Sequence, residues 1–343
     1  MNMFLRKLNT FLRNSQCSSF IKYRAFSSKV SETGSERDPA PLFFNEEIQN
    51  LLYTLTRVDL KKVFRPQRDG QQMEPPTYKF LTTRELEKAM KSAKRKAETR
   101  LQMPPVVKKR SEVTKIISTD PALESYDRCN YVFTDITYGI SNYDRLIVVR
   151  EPNGVLRHAK WDERHCLNQI YFPMPGREII APRMFEQEFL EDLLNRQEYD
   201  FVLNRACLQF EPNDPKYIEI SEKVYSIVNE KQDFEILRST RHYGPMLFYL
   251  AWNKNIDNLL LENIQTEKIE DAVLFTKLYH KINPTASSVD IAHEGDDIQY
   301  LREFVKSEAA NKGKLEAAIL SYKELEKERQ SVAKGIQKAH GIE

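Results

Sequence analysis

The residues best placed to do chemistry are sixteen lysines and arginines between positions 61 and 115. Only six acidic residues share this segment, so its charge balance is about +10. Cationic side chains at this density bind phosphate groups, and they would position a nucleic acid without reading its bases. Charged helix faces that meet only water show the same pattern, and the sequence leaves both interpretations open.

Part of this basic tract has the periodicity of an amphipathic helix. Lys88, Lys91 and Arg95 share one face of a helical wheel. The opposite face carries an apolar stripe formed by Leu86, Met90, Ala93, Ala97 and Leu101. One side can therefore pack against protein while the other meets phosphates. The predicted RNA-contact residues are Lys88, Lys91, Lys94, Arg95, Lys96, Arg100, Lys108, Lys109 and Arg110.

Motifs for catalysis are missing from the sequence. Its ten glycines form neither a Walker loop nor a GxGxxG fingerprint, and no GxSxG, HExxH or CxxC motif occurs. The six histidines are scattered, with none four residues from another. We therefore predict no catalytic residue, cofactor, metal site or small-molecule substrate. An enzyme whose site is assembled from distant residues remains an alternative, because it would leave no local motif.

Cysteine usage and hydropathy indicate what kind of cellular environment the protein occupies. Cys129, Cys166 and Cys207 follow the N-terminal segment, an odd number that is typical of a reducing environment. The mean hydropathy is -0.59, and no apolar run approaches the length of a bilayer span. The sequence therefore predicts no membrane segment.

The first 26 residues differ in composition from the rest of the chain. They contain five lysines and arginines, several serines and no acidic residue, which is typical of a mitochondrial transit peptide. Arg24-Ala25-Phe26-Ser27 resembles the matrix processing pattern and predicts cleavage between Phe26 and Ser27. Removal of this segment changes 52 cationic against 50 acidic residues into 47 against 50, a net charge of about -3. RNA contacts of the mature protein should therefore be local.

The basic helix lies in an N-terminal region with clear helix signals. Asn45 has the residue type of an N-cap and precedes two glutamates and a helical apolar repeat. Thr82 and Glu85 have the spacing of a capping box at the start of the basic helix. The paired prolines at 104 and 105 should prevent that helix from continuing.

The middle of the chain has the composition of β-strands, and the rest is helical. Residues 131–140, 145–151 and 155–161 are rich in β-branched and aromatic types, and a Pro-Asn-Gly turn separates the last two. They predict a three-stranded antiparallel meander. Asp162 should cap a helix that ends at Tyr171. Further helices are predicted over 182–196, 200–210, 215–230, 242–252, 256–283 and 297–339.

These patterns predict an α+β fold that is predominantly helical, with a small central antiparallel β-sheet followed by a helical C-terminal half. The predicted segments are a transit peptide (1–26), a disordered leader (27–42), a helical region with the basic tract (43–115), a sheet region (116–180), a helical domain (181–284) and C-terminal helices with a charged tail (285–343). Six acidic residues begin the helical half, so the charge is polarised: Glu186, Glu188, Glu191, Asp192, Glu198 and Asp200. This polarity suits a chain with one end on RNA and the rest against proteins.

Eight ordered strings carry a family resemblance: PPTYKF (75–80), LQMPPV (101–106), YVFTDI (131–136), IVVREPNGVLR (147–157), QIYFP (169–173), QFEP (209–212), LRSTRHYG (237–244) and LYHKINP (278–284). In this order they resemble the animal family of small-subunit mitochondrial ribosomal proteins numbered twenty-two, from about residue 43 to about residue 325.

The resemblance implies a structural constituent of the mitochondrial small ribosomal subunit, located in the matrix and supporting subunit assembly and translation. Its implied partners are other small-subunit proteins and, through local contacts, the small-subunit rRNA. A free-standing helical-repeat regulator of mitochondrial translation is the alternative. Two helical segments do share an apolar-polar-Pro ending, at 210–212 and 282–284, but no base-reading position recurs between them.

Overall fold

The computed structural model describes residues 37–65, 78–113, 115–124, 127–289 and 295–339. The predicted transit peptide and its cleavage site, Phe26 and Ser27, lie outside these residues. The helices are α1 (Ala40–Phe43), α2 (Glu46–Thr56), α3 (Leu60–Val63), α4 (Thr83–Arg100), α5 (Trp161–Tyr171), α6 (Gln187–Asn195), α7 (Tyr199–Gln209), α8 (Pro215–Lys231), α9 (Phe234–Leu237), α10 (Tyr243–Trp252), α11 (Asp257–Gln265), α12 (Ile269–Ile282), α13 (Asp297–Glu308) and α14 (Lys312–Ala339). The strands are β1 (Ile116–Thr119), β2 (Tyr131–Thr134), β3 (Ile147–Arg150) and β4 (Val155–His158).

This architecture confirms the predicted fold class, a mainly helical α+β protein with a small antiparallel sheet. The sheet has the strand order β1-β4-β3-β2. The three predicted strands form the expected meander, although the first ends at Thr134 rather than Ile140. The expectation of only three strands was wrong, because β1 pairs antiparallel with β4. Strand β4 lies about forty residues further along the chain, so β1 is not followed by the short turn motif that would predict a hairpin.

One face of the sheet packs against α5. Ile147 and Val149 are fully buried there with Ala159, and Leu167 of α5 packs on them. Arg157 on β4 strengthens this contact by donating to Glu163 of α5 at 2.9 and 3.0 Å. The predicted N-cap at Asp162 was wrong, because the cap residue is Lys160, whose backbone N–H donates to Glu163 at 2.8 Å.

The main hydrophobic core lies among the helices that follow the sheet, and α2 belongs to it. Ile48, Leu52 and Leu55 of α2 are buried in the same cluster as residues of α10 and α12. Asn45 caps α2 as predicted, accepting a hydrogen bond from the Glu47 backbone at 2.9 Å. Residues 40–42, expected within the disordered leader, form part of α1, because Phe43 inserts into this core and meets Phe248 edge-on at 5.3 Å.

Two long predicted helices are each divided in the structure. The expected helix over 256–283 breaks between α11 and α12, where Glu267 adopts a left-handed φ of 60°. Its neighbour Lys268 then donates its backbone N–H to Asn263 at 2.8 Å, which closes the end of α11. The expected helix over 297–339 breaks at Ala309–Asn311, where the Asn311 N–H donates to the buried Asp257 at 2.7 Å.

Candidate nucleic-acid interface

The basic helix α4 begins at the predicted capping box. The Thr82 backbone N–H donates to the Glu85 carboxylate at 2.9 Å, and the Glu85 N–H donates to the Thr82 hydroxyl at 3.4 Å. The Thr82 N–H and hydroxyl both donate to the Glu85 carboxylate, and these two hydrogen bonds lower the pKa of Glu85. The capping box satisfies two of the free N–H groups at the helix start, so the helix begins at a defined residue.

Only the last turn of α4 is packed against the rest of the chain. Ala97 and Leu101 are buried, whereas Leu86 is 49% exposed and Met90 is 57% exposed. The first half of the apolar stripe is therefore exposed within the described residues. Only the C-terminal end of the helix meets α3, so residues 81–92 remain exposed on all sides within the described structure.

Several contacts hold that last turn in place. Arg100 donates to the Val63 carbonyl at 3.1 Å and lies 4.8 Å above the Phe64 ring. Glu98 lies near Tyr53 of α2, and burial together with the Glu98 charge raises the pKa of that phenol. The helix therefore projects from a fixed base at its C-terminal end.

The predicted cations on α4 are exposed to solvent, although Arg100 also contacts Val63 and Phe64. Lys88, Lys91, Lys94, Arg95, Lys96 and Arg100 are all exposed. Within the described residues, no carboxylate forms an ion pair with any of them. An exposed cation without an intramolecular carboxylate keeps its charge available for a phosphate group. The helix thus presents a row of available cations in the region with the highest local positive charge.

The segment after α4 is anchored by residues that the sequence did not identify. Met103 packs on the helical core, and Gly244 of α10 allows it to approach closely. A Cβ atom at position 244 would lie 2.0 Å from the Met103 sulfur. No local pattern could reveal this contact, because its two partners are far apart in the chain.

The three predicted cations of the segment after α4 differ in their surroundings. Lys108 and Lys109 are exposed, whereas the side chain of Arg110 is only 13% exposed. Arg110 pairs with Asp214 at 2.5 Å, and its guanidinium carbon lies 4.5 Å from the centre of the Trp161 ring. Its backbone N–H also donates to the Asn213 carbonyl at 2.9 Å. These contacts support an intramolecular role for Arg110, which joins the sheet region to the start of α8.

Candidate metal clusters and membrane-spanning helices are absent from the described residues. No three His, Cys, Asp or Glu side chains within the described ranges come close enough to hold a metal ion. None of the described helices is long and apolar enough to span a membrane. In the acidic start of the helical half, Glu191 pairs with Lys223 and Asp192 with Arg196. Those two acids therefore have intramolecular partners.

Comparison with known proteins gives consistent matches over most of the chain. The family described as mitochondrial 28S ribosomal protein S22 matches residues 41–284. A Mus musculus protein named small ribosomal subunit protein mS22 is 38% identical over 304 residues, which are 88% of this chain and 84% of that protein. A Bos taurus protein of the same name is 38% identical over 296 residues, covering 86% and 82% of the two chains.

Proposed function

The chain belongs to the mitochondrial 28S ribosomal protein S22 family, and from that membership we propose that it is a structural constituent of the small mitochondrial ribosomal subunit. It acts in the mitochondrial matrix, within the mitochondrial ribosome. Membership in a ribosomal protein family implies a structural, non-enzymatic role. The observation that carries the proposal is 38% identity to two small-subunit proteins over more than four fifths of the chain.

Association with other subunit proteins and with rRNA follows from this role, and we propose that α4 makes the rRNA contact. Lys88, Lys91 and Arg95 are exposed and have no carboxylate partner within the described residues. The fixed base of α4 also supports this assignment, because a projecting rigid helix brings its charges to a phosphate backbone at little cost in entropy. The same surface is extended by five further cations: Lys94, Lys96, Arg100, Lys108 and Lys109. Arg110 acts mainly within the chain, through its contacts with Asp214 and Trp161.

Delivery to the matrix depends on the N-terminal segment. We propose cleavage between Phe26 and Ser27, which lie outside the described residues, on the basis of the residue pattern alone. Mass spectrometry of the N-terminal peptide from purified mitochondria should find Ser27, or a residue shortly after it. A matrix protein that still begins at Met1 would contradict this step.

Depletion of the protein tests its structural role in cells. A constituent that bridges neighbours leaves their surfaces uncovered when it is lost, and partners that remain unbound are degraded. We expect small-subunit rRNA and mitochondrial protein synthesis to fall, with large subunits affected later. The unaltered chain should restore both. Normal small subunits after depletion would contradict the proposal and favour the free-standing regulator.

A further inference from the structure

Two aromatic side chains immediately before α4 are almost completely exposed. Phe80 is 104% exposed and Tyr78 is 88% exposed. Neither ring contacts another aromatic ring or a cation within the described residues. Among the other aromatic side chains of the described ranges, only Tyr138 is more than four fifths exposed. The two rings are therefore open to an incoming group.

The start of α4 places these rings at one end of a row of cations. Thr82 is the N-cap of α4, so Phe80 lies two residues and Tyr78 four residues before it. Arg84 and Lys88 follow in the first two turns of the helix, four residues apart and therefore on the same face. Both are exposed, and neither has a carboxylate partner within the described part of the chain. Residues 78–84 contain no acidic residue.

The surrounding charge favours RNA at this position. Residues 78–100 contain eight lysines and arginines against three acidic residues, a balance of about +5. Tyr138 lies instead in the sheet region, where residues 116–160 contain five cationic against six acidic residues. A polyanion is attracted to the first segment and not to the second. Equal exposure of an aromatic ring thus occurs in two opposite electrostatic surroundings.

A nucleotide supplies both groups that this site can bind. Its phosphate pairs with lysine or arginine, and its base is a flat ring that stacks on an aromatic side chain whatever the sequence. Bases inside a duplex already stack on each other, so aromatic side chains reach the bases of unpaired nucleotides. An aliphatic protein segment would cover the rings but would not use the positive charge around them. The combination therefore favours unpaired RNA.

We propose that Tyr78 and Phe80 form a stacking platform for unpaired bases of the small-subunit rRNA, while Arg84 and Lys88 hold phosphates of the same strand. This inference rests on the proposed ribosomal function and specifies the class of RNA that α4 meets. It adds base stacking to the phosphate contacts proposed for α4, and it requires no readout of sequence.

Ultraviolet crosslinking in assembled small subunits tests the platform directly. Small subunits that contain the unaltered chain are salt-washed and irradiated, and crosslinked peptides are sequenced by mass spectrometry. We expect a nucleotide adduct on Tyr78 or Phe80, at an rRNA position that reacts with chemical probes of unpaired bases once the protein is removed. Absence of an adduct from both rings, or an adduct with a base-paired nucleotide, would overturn the inference.

Hydroxyl-radical oxidation tests whether the rings are open before assembly and covered after it. In the isolated mature chain, Tyr78 should be oxidised about as fast as Tyr138, the equally exposed tyrosine of the sheet region. In the small subunit, oxidation of Tyr78 should be several-fold slower. Protection of Tyr78 in the isolated chain would show that the chain itself covers this ring, and equal oxidation in both states would show that nothing does. Either result contradicts the platform.

Variants with and without a ring separate base stacking from apolar burial. Replacement of both Tyr78 and Phe80 by Leu keeps apolar bulk but removes the flat rings. In competition with the unaltered chain, this variant should be retained in salt-washed small subunits about fivefold less or worse, because each lost stack weakens binding by about fivefold or more. Replacement of both by Trp should preserve retention, and Tyr138→Leu is the matched control without effect. Equal retention of the Leu and Trp variants would mean that an apolar protein surface covers the rings.

Salt dependence separates the rings from the cations. The double Leu variant changes no charge, so the slope of log K against log salt should equal that of the unaltered chain. A slope lowered as in a charge variant of α4 would contradict a separate stacking contact. Equal urea midpoints of the isolated chains exclude misfolding as the cause of a loss. A chain that enters small subunits without a nucleotide adduct on either ring contradicts only the platform, whereas a chain absent from small subunits contradicts the proposed function as well.

Discussion

Arg57 and Asp271, which are 214 positions apart, are joined by two hydrogen bonds of 2.6 and 3.0 Å to one carboxylate oxygen. The other Asp271 oxygen accepts from Arg238 at 3.2 Å. Asp271 and Arg238 are almost completely buried, so each neutralises a charge that would otherwise be costly inside the protein. The Arg57–Asp271 pair joins the end of α2 to α12 and thereby connects the N-terminal segment to the helical core.

Replacement of Asp271 should therefore destabilise the fold strongly. Asp271→Ala removes the carboxylate that Arg57 and Arg238 share, while Arg238 keeps Glu262 at 3.2 Å. We expect a loss of about 1–3 kcal/mol in the free energy of unfolding. Glu270→Gln is a matched control, because Glu270 is largely exposed and pairs with the same Arg57 at 3.3 Å. That change should cost less than about 1 kcal/mol. Urea unfolding of the mature chain measures both, and equal effects would contradict the assigned role of the buried pair.

Gly154 should be required at the turn between β3 and β4. Its φ is +78°, and an added Cβ atom would lie 2.1 Å from the backbone oxygen of Asp120. Gly154→Ala should therefore separate β1 from β4, with a cost above the ~1–3 kcal/mol of an unfavourable backbone conformation alone. Gly139→Ala is the control, since Gly139 also has a positive φ but no atom within 4 Å of the added Cβ. Faster hydrogen exchange at the Asp120 amide, which donates to Gly154, would report the separation. Equal losses in the two variants would show that the close approach is unimportant.

The buried histidine His242 should make stability depend on pH. Burial, with a smaller contribution from the Arg241 charge, holds the pKa of His242 well below its ordinary value of 6.5. The unfolded chain therefore takes up a proton below about pH 6.5 that the folded chain does not bind, so this contribution to stability is present above pH 6.5 and is lost as the pH falls. For one proton the slope is about 1.4 kcal/mol per pH unit.

His242→Gln should flatten the dependence of the unfolding free energy on pH between about 6.5 and 5. Burial also lowers the pKa of His280, so part of the slope should remain. His165→Gln, at a partly exposed position on α5, serves as the control. Urea unfolding at several pH values provides the measurement. An unchanged slope in His242→Gln would mean that His242 is protonated in the folded protein.

The proposed rRNA surface on α4 predicts a salt-dependent defect. Reversal of Lys88, Lys91 and Arg95 to Glu should weaken incorporation into small subunits, and the loss relative to the unaltered chain should be largest at low salt concentration. Removal of three phosphate contacts should lower the slope of log K against log salt by about 3. Because these side chains are exposed, each change should affect stability by no more than about 0.5 kcal/mol.

Lys314, Lys327 and Lys334 on α14 provide a control triple of exposed helical lysines outside the basic tract. Their reversal to Glu should leave incorporation close to that of the unaltered chain. If the α4 triple is incorporated normally at low salt, α4 presents a solvated face without an RNA partner.

Local signals predicted much of this fold. The capping box at Thr82 and the N-cap at Asn45 occur as expected, because the interacting groups lie within three residues of each other. The Pro-Asn-Gly turn also forms the predicted hairpin between β3 and β4. Breaks without Gly or Pro were not predictable in this way. Glu267 adopts a left-handed conformation between α11 and α12, and residues of both helices are buried in the same core.

Long-range contacts account for the remaining differences. Arg110 resembles its cationic neighbours in sequence, but its partner Asp214 lies 104 positions away. The exposure of Leu86 and Met90 could not be predicted from the sequence either. A periodic apolar stripe indicates which side of a helix can pack, but not whether a partner for it exists within the chain. The RNA-contact residues therefore remain a prediction, supported by their exposure and lack of carboxylate partners.

Sedimentation of the endogenous protein in a sucrose gradient tests the structural role most directly. After mitochondria are lysed, the protein should travel with the small subunit and with the assembled ribosome, in constant proportion to the small-subunit rRNA. Because it is an integral constituent, it should remain there after a moderate salt wash. Recovery of most of the protein at the top of the gradient would contradict the account.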